Sequence, residues 1–145
     1  MIAIGSDHAG YEMKEALINW LVEQEIPVID FGPGSTESVD YPDYAHAVTA
    51  SVLDEESVIG ILICGTGNGI CMTANKWRDI RAALCWNSEI AGLSRQHNNA
   101  NVLCLPARFI SIEESIRIME VFLDTEFEGG RHEKRVDKIN PSISI

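Results

Sequence analysis

Short apolar runs alternate five times with segments of helical period along this chain, and that rhythm restricts the fold more than any other feature. The runs 1–6, 28–31, 58–64, 80–85 and 101–105 have strand length. Between the first two, Met13, Ala16, Leu17, Trp20 and Leu21 fall at helical spacing and predict a helix over 11–25. Ala45, Val48, Ala50, Val52 and Leu53 predict a second over 44–54, with Asp43 as its expected cap. Further helices are expected over 69–76, 88–96 and 112–123, and a short last one over 132–139. Strands alternating with helices require crossover connections, so the expected fold is α/β: one doubly wound five-stranded parallel sheet with helices on both faces, a three-layer Rossmann/flavodoxin-like domain over 1–145. The expected strand order is the flavodoxin-like 2-1-3-4-5, with an extra C-terminal helix. Ligands of such sheets sit beyond the strands' carboxyl ends, near the switch point between strands one and three. Asp7-His8 and the glycine loop 64–69 occupy those two ends.

Composition narrows the function. A net charge of −11 argues against nucleic acid and anionic membrane surfaces. Residues 1–60 hold twelve acidic side chains and one basic one, Lys14, so cations for an anionic ligand must come from the second half. The cluster Arg131-His-Glu-Lys-Arg135 is the obvious source. No basic leader precedes the first strand, and no apolar run approaches the roughly 20 residues of a membrane span. The cytoplasm is the expected location. Four cysteines, at 64, 71, 85 and 104, show no zinc spacing. Cys85 and Cys104 lie within apolar runs and read as buried fillers, whereas Cys64 ends a strand at the lip of a glycine-rich turn.

That turn, Cys64-Gly-Thr-Gly-Asn-Gly69, is neither GxGxxG nor a Walker loop. A thiol phosphatase would need an arginine at position 70, which is Ile. A flavodoxin would carry its phosphate loop after the first strand, where Asp7 stands. The stretch is therefore either a tight turn ended by a buried cysteine or an anion cradle beside a stabilised thiolate. Taken alone, Asp7-His8 reads as a cap, His97 as a surface residue at the far edge of the sheet, and Arg131 with Arg135 as a solvated pair on one helical face. Taken together, a thiolate base, oxyanion amides, imidazoles and a guanidinium pair suit proton abstraction beside the carbonyl of a phosphorylated substrate, without a cofactor or metal.

Several longer motifs share one origin: Gly5-Ser-Asp-His-Ala-Gly10, Val39-Asp-Tyr-Pro42, Ile63-Cys-Gly-Thr-Gly-Asn-Gly-Ile70, Ala74-Asn-Lys76, Ile80-Arg-Ala82, Ser94-Arg-Gln-His-Asn-Asn-Ala-Asn-Val102 and Glu128-Gly-Gly-Arg-His132 with Arg135. In this order and over nearly the whole length, the chain resembles the type B ribose-5-phosphate isomerases and their relatives acting on galactose 6-phosphate and allose 6-phosphate. The resemblance implies Cys64 as the base moving a proton between C1 and C2 of the open-chain sugar. It implies the backbone of Gly65, Thr66, Gly67, Asn68 and Gly69 as the enediolate's anion hole, with Thr66 shuttling a proton between the oxygens. His97, with Asp7, would assist ring opening; Asn98 and Tyr41 would contact the sugar. His8, Arg131, His132 and Arg135 would bind the phosphate end, with Arg108 a further candidate. The family shares each site between two subunits, so a homodimer or a tetramer is expected. Where part of the family uses a glutamate in place of the cysteine, this chain has Ile70, and Asn68 stands where many members are apolar. The alternatives are the same chemistry on a six-carbon sugar phosphate, a non-catalytic flavin or nucleotide module, and an inactive partner subunit.

Overall fold

In the computed structural model, which describes residues 1–142, five parallel strands form one sheet. They are β1 (Ile2–Ser6), β2 (Val28–Asp30), β3 (Ile59–Cys64), β4 (Ala82–Leu84) and β5 (Val102–Pro106). The helices are α1 (Tyr11–Glu23), α2 (Tyr41–Leu53), α3 (Asn68–Ala74), α4 (Ser88–Asn98), α5 (Ile112–Asp124) and α6 (Glu133–Val136). None of those described is long and apolar enough to cross a membrane.

The strand order is β2-β1-β3-β5-β4, not the expected 2-1-3-4-5. The physical reason lies in the two exchanged strands. Every residue of β5 is buried, as an inner strand of a parallel sheet requires, whereas β4 has three residues, all only partly covered. The edge falls to β4, and the side-chain amide of Asn75 closes it by bonding both the N–H and the carbonyl of Ala82. Right-handed crossovers then sort the helices. Steps from β2 to β3 and from β3 to β4 run one way along the sheet and put α2 and α3 on one face. Steps from β1 to β2 and from β4 to β5 run the other way and put α1 and α4 on the opposite face, where α5 joins them. The packing of α2 on α3 and of α4 on α5 follows.

Alternation along β3 divides the core between those faces. Ile59, Ile61 and Ile63 pack with Leu17, Leu21, Leu103, Leu105 and Phe122. Leu62 and Cys64 face Ala45, Val48, Ile70, Ala74 and Cys104. The Cys64 side chain thus points under α3.

Two expected boundaries move. Helix α2 begins at Tyr41 rather than Tyr44, and Asp43 lies in its first turn instead of capping it. Pro42 is the reason: a proline in the first helical turn loses no hydrogen bond, so it opens the helix instead of preceding it. The segment expected as a helix over 132–139 is a 3-10 turn, Gly130–His132, running into the single turn of α6.

Candidate active site

The carboxyl ends of β1 and β3 are adjacent, with Ser6 opposite Ile63. The Asp7 N–H donates to the Ile63 carbonyl, and the Asp7 carboxylate caps the following turn by accepting from the Gly10 N–H. Beside it, His8 Nδ1 accepts from the Val39 N–H at 3.2 Å. This fixes the neutral tautomer, leaving Nε2–H as a donor. The same bond ties Val39 to the residue that follows Asp7 at the end of β1.

Cys64 ends β3 at 5% exposure. Its carbonyl accepts from the Ala107 N–H and that of Gly65 from the Arg108 N–H, so the loop is clamped to the end of β5. Gly67 precedes α3 with φ +73°, and a Cβ there would meet Leu84 Cδ1 at 2.5 Å. A Cβ on Gly69 would lie 2.5 Å from Tyr41 Cζ, so the phenol rests directly on the loop. Asn68 N–H donates to Thr66 Oγ1, while the N–H groups of Gly65, Thr66 and Gly67 find no acceptor among the described residues. The Arg108 guanidinium lies along Gly65, with Nη1 3.2 Å from where a Cβ would stand. One strand end therefore holds a thiol, open amides, an imidazole donor, a phenol and a cation.

The other cysteines differ. Burial pushes the Cys85 thiol up to about 11 and that of Cys104 well above its ordinary range, so neither is a ready nucleophile. Lys14, the single cation of the first half, is fully buried and bonded to Asp30 and Glu15. It is structural.

The remaining candidates lie elsewhere. Helices in a parallel sheet run opposite to its strands, so the last turn of α4, with His97 and Asn98, lies at the sheet's amino edge. The fully buried strand β5 separates them from Cys64, a span on the order of 15 Å. The segment after α5 joins this group: Arg95 Nε donates to the Thr125 carbonyl and Glu128 N–H to that of Gln96. His132 stacks on His97 with centroids 4.3 Å apart and planes 15° from parallel. Arg131 and Arg135 are exposed beside them, and Arg135 Nη1 donates to the Arg131 carbonyl. Partial burial, then His97 and Arg131, hold the His132 imidazole below its ordinary value.

In the sequence, Glu128 stands out only as the first residue of the motif Glu128-Gly-Gly-Arg-His132. Its carboxylate lies 3.6 Å from His132 Nε2 and 3.8 Å from His97 Nε2. The i,i+4 spacing to His132 was a usable signal; the approach to His97, 31 residues away, had none. Together the three offer ligand atoms within 4.8 Å of one another, a possible metal-ligand set that spacing rules did not flag. The charges of Arg131 and Arg135 beside it oppose a divalent cation there.

A doubly wound sheet bearing a thiol and open amides at its switch point defines a class, and comparison with known proteins gives the family. The family model described as Ribose/Galactose Isomerase matches residues 2–139, and the chain belongs to that family. A protein of Mycoplasma pneumoniae called probable ribose-5-phosphate isomerase B is 51% identical over 139 residues, covering 95% of this chain and 91% of that one. Ribose-5-phosphate isomerase B of Escherichia coli is 46% identical, covering 95% and 93%. The crystal structure of a Thermotoga maritima ribose 5-phosphate isomerase superposes with TM-score 0.96 at 52% identity, covering 97% of both chains. The Mycoplasma genitalium isomerase B, solved with bound ribulose-5-phosphate, superposes with TM-score 0.91 at 46% identity over 95% and 92%.

Proposed function

We propose that the protein interconverts D-ribose 5-phosphate and D-ribulose 5-phosphate through a cis-enediolate, with Cys64 as the base. The observation that carries this reading is the thiol at the strand end followed by three amides with no acceptor among the described residues. Substrate identity is supported by the relatives' activity and by ribulose-5-phosphate bound to one of them.

In the open-chain aldose, the Cys64 thiolate takes the C2 proton, and the electron pair moves through C1 to O1. The resulting charge is held by the amides of residues 65–69, and preorganised donors of this kind contribute about 3–4 kcal/mol each. Thr66 carries the O2 hydroxyl proton to O1, and the Cys64 thiol returns its proton to C1, giving the ketose. Tyr41 and Asn98 contact the sugar. His8 Nε2–H, Arg108, Arg131, His132 and Arg135 bind the phosphate end, and His97 with Asp7 opens the ring.

This assignment requires two copies of the chain. His97, Asn98, Arg131, His132 and Arg135 of one protomer face the strand ends of its partner, and the site is complete only in a homodimer or a larger assembly of dimers. Such an arrangement supplies cations to an acidic first half whose lysine is tied up. Free thiols and a phosphorylated substrate suit the cytoplasm.

Turnover of ribose 5-phosphate by the purified protein, lost at least 1,000-fold in Cys64→Ala with melting unchanged, is the expected result. Undiminished turnover in that variant would remove Cys64 from the chemistry. The family's description includes galactose as well as ribose isomerases. A higher kcat/KM on allose or galactose 6-phosphate would therefore move the substrate, not the mechanism.

A further inference from the structure

We infer that Glu128 is a positioning residue for ring opening: its carboxylate, set against both His97 Nε2 and His132 Nε2, orients the stacked imidazoles. The inference rests on the isomerase reading above. Three observations support it. The carboxylate reaches the same nitrogen of both rings, at 3.8 and 3.6 Å, from a backbone anchored by its N–H to Gln96. Gly129 and Gly130 both have positive φ, +66° and +55°, which turns the chain so that His132 comes back over Glu128 where no α-helix runs. Finally, the two rings are stacked 4.3 Å apart, so a carboxylate at their shared edge sets the orientation of both at once.

Arg131, Arg135 and the second imidazole act against protonation of His132, and Glu128 acts for it. Contacts to Glu128 at Nε2 leave Nδ1 of His97 as the atom free to face a sugar.

The chemistry balances as follows. The His97 imidazolium gives its Nδ1 proton to the furanose ring oxygen O4 as the C1–O4 bond breaks. The O1–H bond electrons form the C1=O1 carbonyl, and that proton passes to the Asp7 carboxylate. Glu128 stays ionised throughout. Ribulose 5-phosphate needs no such step, because its O5 carries the phosphate and cannot close a furanose.

Ring opening and enediolate formation can therefore be read separately, in buffer containing EDTA. Glu128→Gln is expected to lower turnover of ribose 5-phosphate by roughly 10–100-fold, less than loss of a positioned proton donor itself, because His97 is retained. Solvent-deuterium incorporation at C1 of ribulose 5-phosphate bypasses ring opening, and at saturating substrate, where a weakened phosphate contact through His132 no longer counts, it should stay within about 2-fold of wild type. Glu128→Asp, which keeps the charge, should recover part of the turnover. Equal loss in both assays would show a merely structural role and overturn the inference, as would no loss in either. A wild-type protein inert in both assays would instead overturn the isomerase reading itself.

Discussion

Replacing three glycines by alanine separates the two energies that hold the loop after Cys64. Gly34 has ordinary φ and nothing within 4 Å of a built Cβ, Gly129 has φ +66° and equally open space, and Gly67 has φ +73° with Leu84 Cδ1 at 2.5 Å and the Leu105 backbone carbon at 3.1 Å. Gly34→Ala should change stability by no more than about 0.5 kcal/mol. Gly129→Ala, at φ +66° and ψ −133°, incurs a backbone cost alone, about 1–3 kcal/mol. Gly67→Ala, at φ +73° and ψ −13°, combines a left-handed backbone cost of about 1–2 kcal/mol with overpacking. Leu84 is half-exposed and its methyl can swing aside, but the Leu105 backbone cannot, which puts the added term at about 1–3 kcal/mol. The sum of about 2–5 kcal/mol lowers Tm by roughly 6–15 °C in a chain of this size. Thermal melts of the three variants, by circular dichroism, give the comparison. Because the displaced loop carries the amides next to Cys64, Gly67→Ala should also lose on the order of 100-fold in kcat/KM. A Gly67→Ala loss of no more than about 2 kcal/mol, the left-handed backbone cost alone, would refute the packing argument.

Lys14 yields a pH-dependent prediction. Desolvation pulls its pKa down, but the Glu15 and Asp30 carboxylates outweigh that and raise it above 10.5. A raised pKa stabilises the fold below the unfolded value and loses that contribution as pH rises through the folded one. Lys14→Met should therefore cost about 1–3 kcal/mol near neutrality, and the gap to wild type in thermal melts should close only above pH 10.5; a gap already closed at neutral pH would contradict the burial of the pair. Arg108→Gln should raise KM for the sugar phosphate about 5–30-fold with kcat nearly unchanged, since it removes a charge-assisted phosphate contact equally from ground and transition states. Steady-state kinetics with an unchanged KM would take Arg108 out of the site.

Element type was legible in this sequence, and neighbour relations were not. Periodicity identified all five strands and the long helices, and a right-handed α/β sheet left few ways to join them. Strand order escaped because the apolar runs of β4 and β5 look alike in sequence; only burial shows that β5 takes the inner position and β4, closed by Asn75, the edge. The start of α2 escaped because Asp40-Tyr-Pro-Asp43 reads equally as a turn and as a first helical turn. At the site, Asp7, His8 and the loop 64–69 were predictable neighbours, because strand ends at a switch point must meet. His97 was correctly assigned to the far edge from the direction of α4. Its company was not predictable: the stack on His132 and the reach of Glu128 depend on how the segment after α5 folds back on α4, which no local pattern encodes.

The central claim is that each site is divided between two copies of the chain, and mixing two inactive variants tests it most directly. Cys64→Ala and His97→Asn are each expected to be inactive as homodimers. After unfolding and refolding together in equal amounts, half of the dimers should be mixed, and each mixed dimer should contain one intact site and one doubly damaged site. Activity on ribose 5-phosphate should return to about a quarter of wild type, as the geometry of a two-fold interface dictates. If Cys64 and His97 served one site within a single chain, no mixture could restore it, and activity staying at the level of the separate variants would contradict the account.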